Sequence, residues 1–129
     1  MVQTREDDNA SSANKSVLIV DDDVNLARLL RTLLRSEGYR VLTASDGEEA
    51  LNLLSKEPVN VIVSDLRMPR MDGRSFYREL RSRGIHSPVL IASAYSARAA
   101  QRELGADAAI EKPFEPDHLL AIVQTLVRR

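Results

Sequence analysis

The sequence predicts an α/β domain: a parallel five-stranded sheet with helices packed on both faces. Two observations carry that expectation. Short, nearly unbroken apolar runs such as Val17-Leu18-Ile19-Val20 and Val59-Asn60-Val61-Ile62-Val63 alternate with stretches whose apolar residues recur at helical spacing. The alternation runs to the end of the chain with no internal repeat and no second domain.

Residues 1 to 15 are polar and aperiodic, which is the pattern of a disordered tail, and the folded domain is expected over 16–129. The first strand is Val17 to Val20. After Asp21-Asp22-Asp23, Leu26, Leu29, Leu30, Leu33 and Leu34 mark a helix that Glu37-Gly38 stops, with Asp22 or Asp23 as its N-cap. Tyr39 to Ala44 reads as the second strand. Asp46-Gly47 opens a second helix carrying Ala50, Leu51, Leu53 and Leu54, and Pro58 ends it before the third strand, Val59 to Val63. The loop Leu66 to Gly73 is punctuated by Pro69 and Gly73. Phe76, Tyr77 and Leu80 mark a third helix closed by Arg83-Gly84. The fourth strand, Val89 to Ala92, leads to a short helix from about Ala97 to Leu104, closed by Gly105. The fifth strand, Ala108 to Ile110, precedes a last helix from Pro116 to about Arg128. Right-handed crossovers leave few arrangements for such units, and at this size the common strand order is 2-1-3-4-5.

With 129 residues, 43% of them hydrophobic and 29% charged, the chain can bury a core of its own. The net charge of -1 sets up no field directed at nucleic acid or a membrane surface. Without cysteine there are no disulfides and no thiolate metal sites. No apolar run approaches the roughly 20 residues of a membrane span. The N-terminus lacks an apolar signal core, so the expected location is the cytoplasm.

The chemistry sits where the apolar runs end. The first ends in Asp21-Asp22-Asp23, the third in Ser64-Asp65, the fourth in Ser93-Ala94 and the fifth in Glu111-Lys112-Pro113. In the 2-1-3-4-5 order strands one and three are neighbours at the switch point, where ligands bind outside strand carboxyl ends, so Asp21, Asp22 and Asp65 meet there. Crowded carboxylates repel, and a divalent cation resolves the repulsion; an oxygen-only set suits Mg²⁺ or Mn²⁺. Beside a metal, the Asp65 carboxylate can act as a nucleophile on phosphorus, with the cation and Lys112 neutralising charge on the phosphoryl oxygens and Ser93 donating a hydrogen bond to the product.

On these residues the chain resembles the receiver domain of two-component response regulators, over roughly Lys15 to Arg128. The matching features are Val-Asp-Asp at 20–22, Asp-Leu-Arg-Met-Pro-Arg-Met-Asp-Gly at 65–73, Ser-Ala at 93–94, Gly-Ala at 105–106 and Lys-Pro-Phe at 112–114. Each is weak alone; the ordered set is specific. The resemblance implies a flavodoxin-like doubly wound fold and an Asp65 that takes a phosphoryl group from a sensor histidine kinase or a phosphotransfer protein. It implies Mg²⁺ on Asp22 and Asp65, with Asp21 acting largely through water and Arg67 through its backbone carbonyl. Lys112 would contact the phosphate, Ser93 would be the switch hydroxyl, and the Lys112-Pro113 bond would be cis. Such a domain catalyses only its own aspartyl phosphorylation and dephosphorylation. It acts on a downstream protein partner, in some cases as a phosphorylation-dependent homodimer.

The sequence also departs from the family pattern. Receivers carry Tyr or Phe three residues before the Lys, and here that position is Ala109. The switch therefore needs another reporter, and Tyr95, two residues after Ser93, is the expected one. The segment Ala94 to Gly105 is about three residues short of the usual length, nearly one turn of helix. Arg67, two residues after Asp65, stands where dephosphorylation is tuned and can pair with the phosphate against attacking water. Arg74, Arg78 and Arg81 share one face of the third helix, as a solvated face or a dock for an acidic partner. His86 and His118 lie away from the acidic cluster and lack metal-ligand spacing, and Met68, Met71 and Phe114 read as packing residues. Two other function classes compete with the receiver. One is a phosphorylation-independent pseudo-receiver that works as an interaction module. The other is a metal-dependent phosphohydrolase, which would need an acid-base carboxylate where Arg67 stands.

Overall fold

The computed structural model describes residues 15–129; the tail expected over residues 1–15 lies, but for Lys15, outside the described residues. The strands are β1 (Ser16–Val20), β2 (Arg40–Ala44), β3 (Val61–Ser64), β4 (Val89–Ser93) and β5 (Ala108–Glu111). The helices are α1 (Val24–Ser36), α2 (Gly47–Lys56), α3 (Gly73–Ser82), α4 (Ala97–Leu104) and α5 (Pro116–Val127). All strand pairs are parallel and the order is β2-β1-β3-β4-β5, as expected.

Every residue of β1, β3 and β4 is buried, because helices cover both faces of the sheet. Alternation along β1 sends Leu18 and Val20 into one core with Leu51 of α2, Phe76 and Leu80 of α3 and Ala97 and Ala100 of α4. Val17 and Ile19 enter the other, with Leu30 and Leu34 of α1 and Leu119, Val123 and Leu126 of α5. Met68 and Met71 pack against the first core and Phe114 against the second, in line with their reading as packing residues.

The starts of α1, α2 and α3 are set by aspartates. Asp23, not Asp22, caps α1 by accepting from the Leu26 N–H at 3.1 Å. Asp46 caps α2 through Glu49 N–H at 2.9 Å, and Asp72 caps α3 through Ser75 N–H at 2.8 Å. Each strand differs from expectation by a residue at one end, and β3 differs most, beginning at Val61 rather than Val59. Asn60 exchanges bonds with Ser16 instead, its N–H donating to the Ser16 carbonyl at 2.9 Å while its Oδ1 accepts from Ser16 N–H at 2.8 Å. A side-chain amide thus substitutes for one rung of ladder at the start of the sheet. Helix α4 has eight residues, against ten to thirteen in the other four, consistent with the shortness of its segment.

Candidate functional site

The parallel sheet brings the predicted residues to one edge and pins their backbones across neighbouring strands. Asp21 N–H donates to the Ala44 carbonyl at 3.0 Å, Asp65 N–H to the Val20 carbonyl at 2.9 Å, and Lys112 N–H to the Ser93 carbonyl at 3.0 Å. Carboxylate oxygens of Asp21, Asp22 and Asp65 all lie within 4.8 Å of one another. Asp21 and Asp65 are buried and Asp22 is exposed, so the cluster opens to solvent on the Asp22 side.

Lys112 closes the inner side. Its Nζ donates to Asp21 Oδ2 at 2.8 Å and to Asp65 Oδ2 at 2.9 Å. The other oxygens are held by backbone: Asp21 Oδ1 accepts from Asp23 N–H at 2.9 Å, and Asp65 Oδ1 from Leu66 N–H at 2.6 Å. Burial pushes the Asp21 carboxyl above its ordinary value, and the Lys112 ammonium and the Asp23 amide only partly offset that. Burial also works against the Lys112 ammonium, but its bonds to the two carboxylates outweigh burial and raise it above the usual lysine value. Three carboxylates against one ammonium leave an excess of negative charge on hard oxygen donors, and that donor set fits a divalent cation such as Mg²⁺.

Two glycine-dependent approaches shape the loop after Asp65. A Cβ at Gly73 would lie 2.2 Å from the Asp65 carbonyl oxygen, so only glycine lets α3 begin directly beneath the acidic residue. A Cβ at Gly47 would lie 2.9 Å from Met71 Sδ, where the loop rests on the start of α2.

Ser93 is fully buried at the end of β4, and its Oγ accepts from Tyr95 N–H at 3.2 Å. Tyr95 itself is exposed, and the Arg67 guanidinium lies over its ring, 3.8 Å from the centroid. The two positions singled out beside Asp65 and Ser93 therefore touch each other. Ala109 pairs with Ile91 in the sheet and lines a cleft of about 510 Å³ with Arg98, Phe114 and His118. The Lys112–Pro113 bond is cis.

The arginine face of α3 is neither free nor merely solvated. Arg74 and Arg78 both pair with Glu103 of α4, each at 3.2 Å. Arg81 donates to the Ile85 and Ser87 carbonyls at 2.7 and 3.1 Å and lies 3.7 Å from Asp107. The periodicity of α3 exposed the three arginines to view, but the acids that answer them come from a different helix and loop. Sequence reasoning also passed over Asp46 beyond its place before a helix, and Arg70; their pairing needs two loops to meet.

The family model of the response regulator receiver domain matches residues 17–124. The chain belongs to that family. Among curated proteins, this receiver is 41% identical to a probable transcriptional regulator ycf27 of Cyanophora paradoxa over 89% of the chain and 49% of the relative. It is 39% identical to the alkaline phosphatase synthesis transcriptional regulatory protein PhoP of Bacillus subtilis, over 90% of the chain and 50% of the relative. The chain thus spans about half the length of the curated relatives it matches. Among solved structures it resembles the receiver domain of the Francisella response regulator 1452, with a TM-score of 0.83 and 37% identity over 90% of this chain and 98% of that one. It also resembles the response regulator TrrA of Thermotoga maritima, determined in complex with Mg²⁺-BeF, with a TM-score of 0.78 and 33% identity over 87% of this chain and 98% of that one. Among the described residues no helix is long and apolar enough to cross a membrane.

Proposed function

We propose that Asp65 is the phosphoacceptor of this receiver and that Asp21, Asp22 and Asp65, with the Arg67 backbone carbonyl, hold Mg²⁺ or Mn²⁺. The observation that carries the reading is the Lys112 ammonium, bonded at 2.8 and 2.9 Å to two buried carboxylates whose oxygens converge with those of Asp22. When bound, the cation supplies charge neutralisation at the phosphoryl oxygens. The Leu66 N–H fixes one Asp65 oxygen and Lys112 holds the other, so the carboxylate is oriented before the donor arrives. An Asp65 oxygen then forms a bond to the phosphorus of a phosphohistidine as the P–N bond breaks and the imidazole leaves with the electron pair. Lys112 stays beside the transferred group, and the Ser93 hydroxyl turns to donate to it.

The chain changes no substrate other than itself, so it acts as a switch whose only catalysis is its own phosphorylation and dephosphorylation. Its donors are a sensor histidine kinase or a phosphotransfer protein, in the cytoplasm. The readout is a downstream protein or a phosphorylation-dependent homodimer. Transfer of Arg67 from the Tyr95 ring to the phosphate would change Tyr95 and slow attack by water, which gives these two side chains the reporter role that Ala109 cannot fill.

The test is intact-mass spectrometry after incubation with Mg²⁺ and acetyl phosphate, beside Asp65→Ala. The expected result is one added phosphoryl group in the wild type and none in the variant. An unmodified wild type that still binds Mg²⁺ would overturn the reading in favour of a phosphorylation-independent interaction module.

A further inference from the structure

We infer that Asp46 and Arg70 form a positioning pair for the loop 66–73, acting on the Asp65 site without touching it; the inference rests on the functional reading of Asp65 given above. Asp46 is wholly buried. Its Oδ1 caps α2 by accepting from Glu49 N–H at 2.9 Å, and its Oδ2 pairs with the guanidinium of Arg70. A cap needs only a neutral acceptor, and serine or asparagine would serve. A buried carboxylate carries a desolvation cost; the Glu49 amide offsets it at one oxygen, and the arginine of another loop does so at the second.

The loop is in turn held from that side. Arg70 adopts a φ of 67°, which residues other than glycine rarely take, so local preference does not place the backbone there. The next residue, Met71, rests on Gly47 at the head of α2. Two consecutive loop residues are thus docked on the corner that Asp46 caps. At the other end of the loop, Leu66 N–H donates to Asp65 Oδ1 and Gly73 N–H donates to the Leu66 carbonyl at 2.8 Å. The same corner reaches the other acidic loop through Ala44, whose carbonyl accepts from Asp21 N–H at 3.0 Å. One buried charge therefore sits between the backbone that carries Asp21 and the loop that orients Asp65 and presents the Arg67 carbonyl. Divalent cations are sensitive to the groups that orient their ligands, so loosening this pair is expected to reach the metal.

The experiment compares the wild-type protein with Asp46→Asn, Arg70→Gln, the double variant and Arg70→Lys. Asp46→Asn retains a capping oxygen and Arg70 is exposed, so helix start and fold are preserved. Amide exchange is followed at Leu66 and Gly73 without metal, and Mg²⁺ affinity is measured by calorimetry. Both single variants are expected to exchange faster at these amides and to bind Mg²⁺ about three- to tenfold more weakly. The double variant should be no weaker than the worse single one, and Arg70→Lys should recover part of the loss. Unchanged exchange, or faster exchange with unchanged Mg²⁺ affinity, would overturn the inference and leave Asp46 a helix cap alone. If the wild type itself takes up no Mg²⁺, the functional reading fails separately, and exchange alone then decides whether the pair orders the loop.

Discussion

Two three-residue ion clusters in this domain use similar groups to opposite ends. At the strand ends, Lys112 is bonded to Asp21 and Asp65, with the three side chains between 5% and 19% exposed. Between α3 and α4, Glu103 is bonded to Arg74 and Arg78, with side chains between 36% and 61% exposed. In the outer cluster water competes for every charge and the pairs are worth little. In the inner one the charges have lost most of their water, so each depends on its partners. Burial is therefore what separates the two: it makes the charged form of Asp21 costly, so that the carboxylate relies on the Lys112 ammonium and the Asp23 amide.

The largest expected effect comes from removing the cation of the inner cluster. Lys112→Ala leaves two buried carboxylates facing each other and is expected to lower stability at neutral pH by about 2 kcal/mol, measured by urea denaturation without divalent ions. Mg²⁺ should restore part of that loss by binding the folded state. A loss as small as that of the outer cluster would break the comparison.

Asp21 sharpens it through pH. Because its folded value lies above the ordinary 3.8, its contribution favours folding below that pH and is lost as pH rises through the folded value. Asp21→Asn removes this term. The variant should thus gain stability relative to wild type as pH rises through that window, while binding Mg²⁺ at least about tenfold more weakly. Asp46 carries the opposite sign. The Glu49 amide and Arg70 hold it below 3.8 despite burial, so its contribution is present above that value and lost as pH falls through the folded one.

A smaller, kinetic effect is expected at the rim. Arg67→Asn, measured by the decay of phosphorylated protein, should shorten the lifetime of the modification by about threefold, the scale of one exposed stacked or paired cation. Equal or slower decay would show that Arg67 does not shield the phosphate. Smallest of all, Glu103→Gln should cost no more than about 0.5 kcal/mol and lose even that in high salt.

The sequence by itself determined the alternation of strands and helices and which polar residues stand at the strand ends. Each of these depends on signals carried within a few residues: apolar runs that must be covered on both faces, capping aspartates, and polar residues exactly one step past a strand end such as Asp21 and Asp65. The parallel topology then leaves those ends no choice but to meet. Tertiary structure alone decided which groups answer one another. That Arg67 lies on Tyr95, that Glu103 takes up Arg74 and Arg78, and that Arg70 reaches the buried Asp46 depend on helix placement and loop path across 24 or more positions in the chain. Charge pairing has no periodicity to announce it. An arginine reads the same in a sequence whether it faces water or neutralises a carboxylate from another loop, and only packing sets the distance and the dielectric that separate the two.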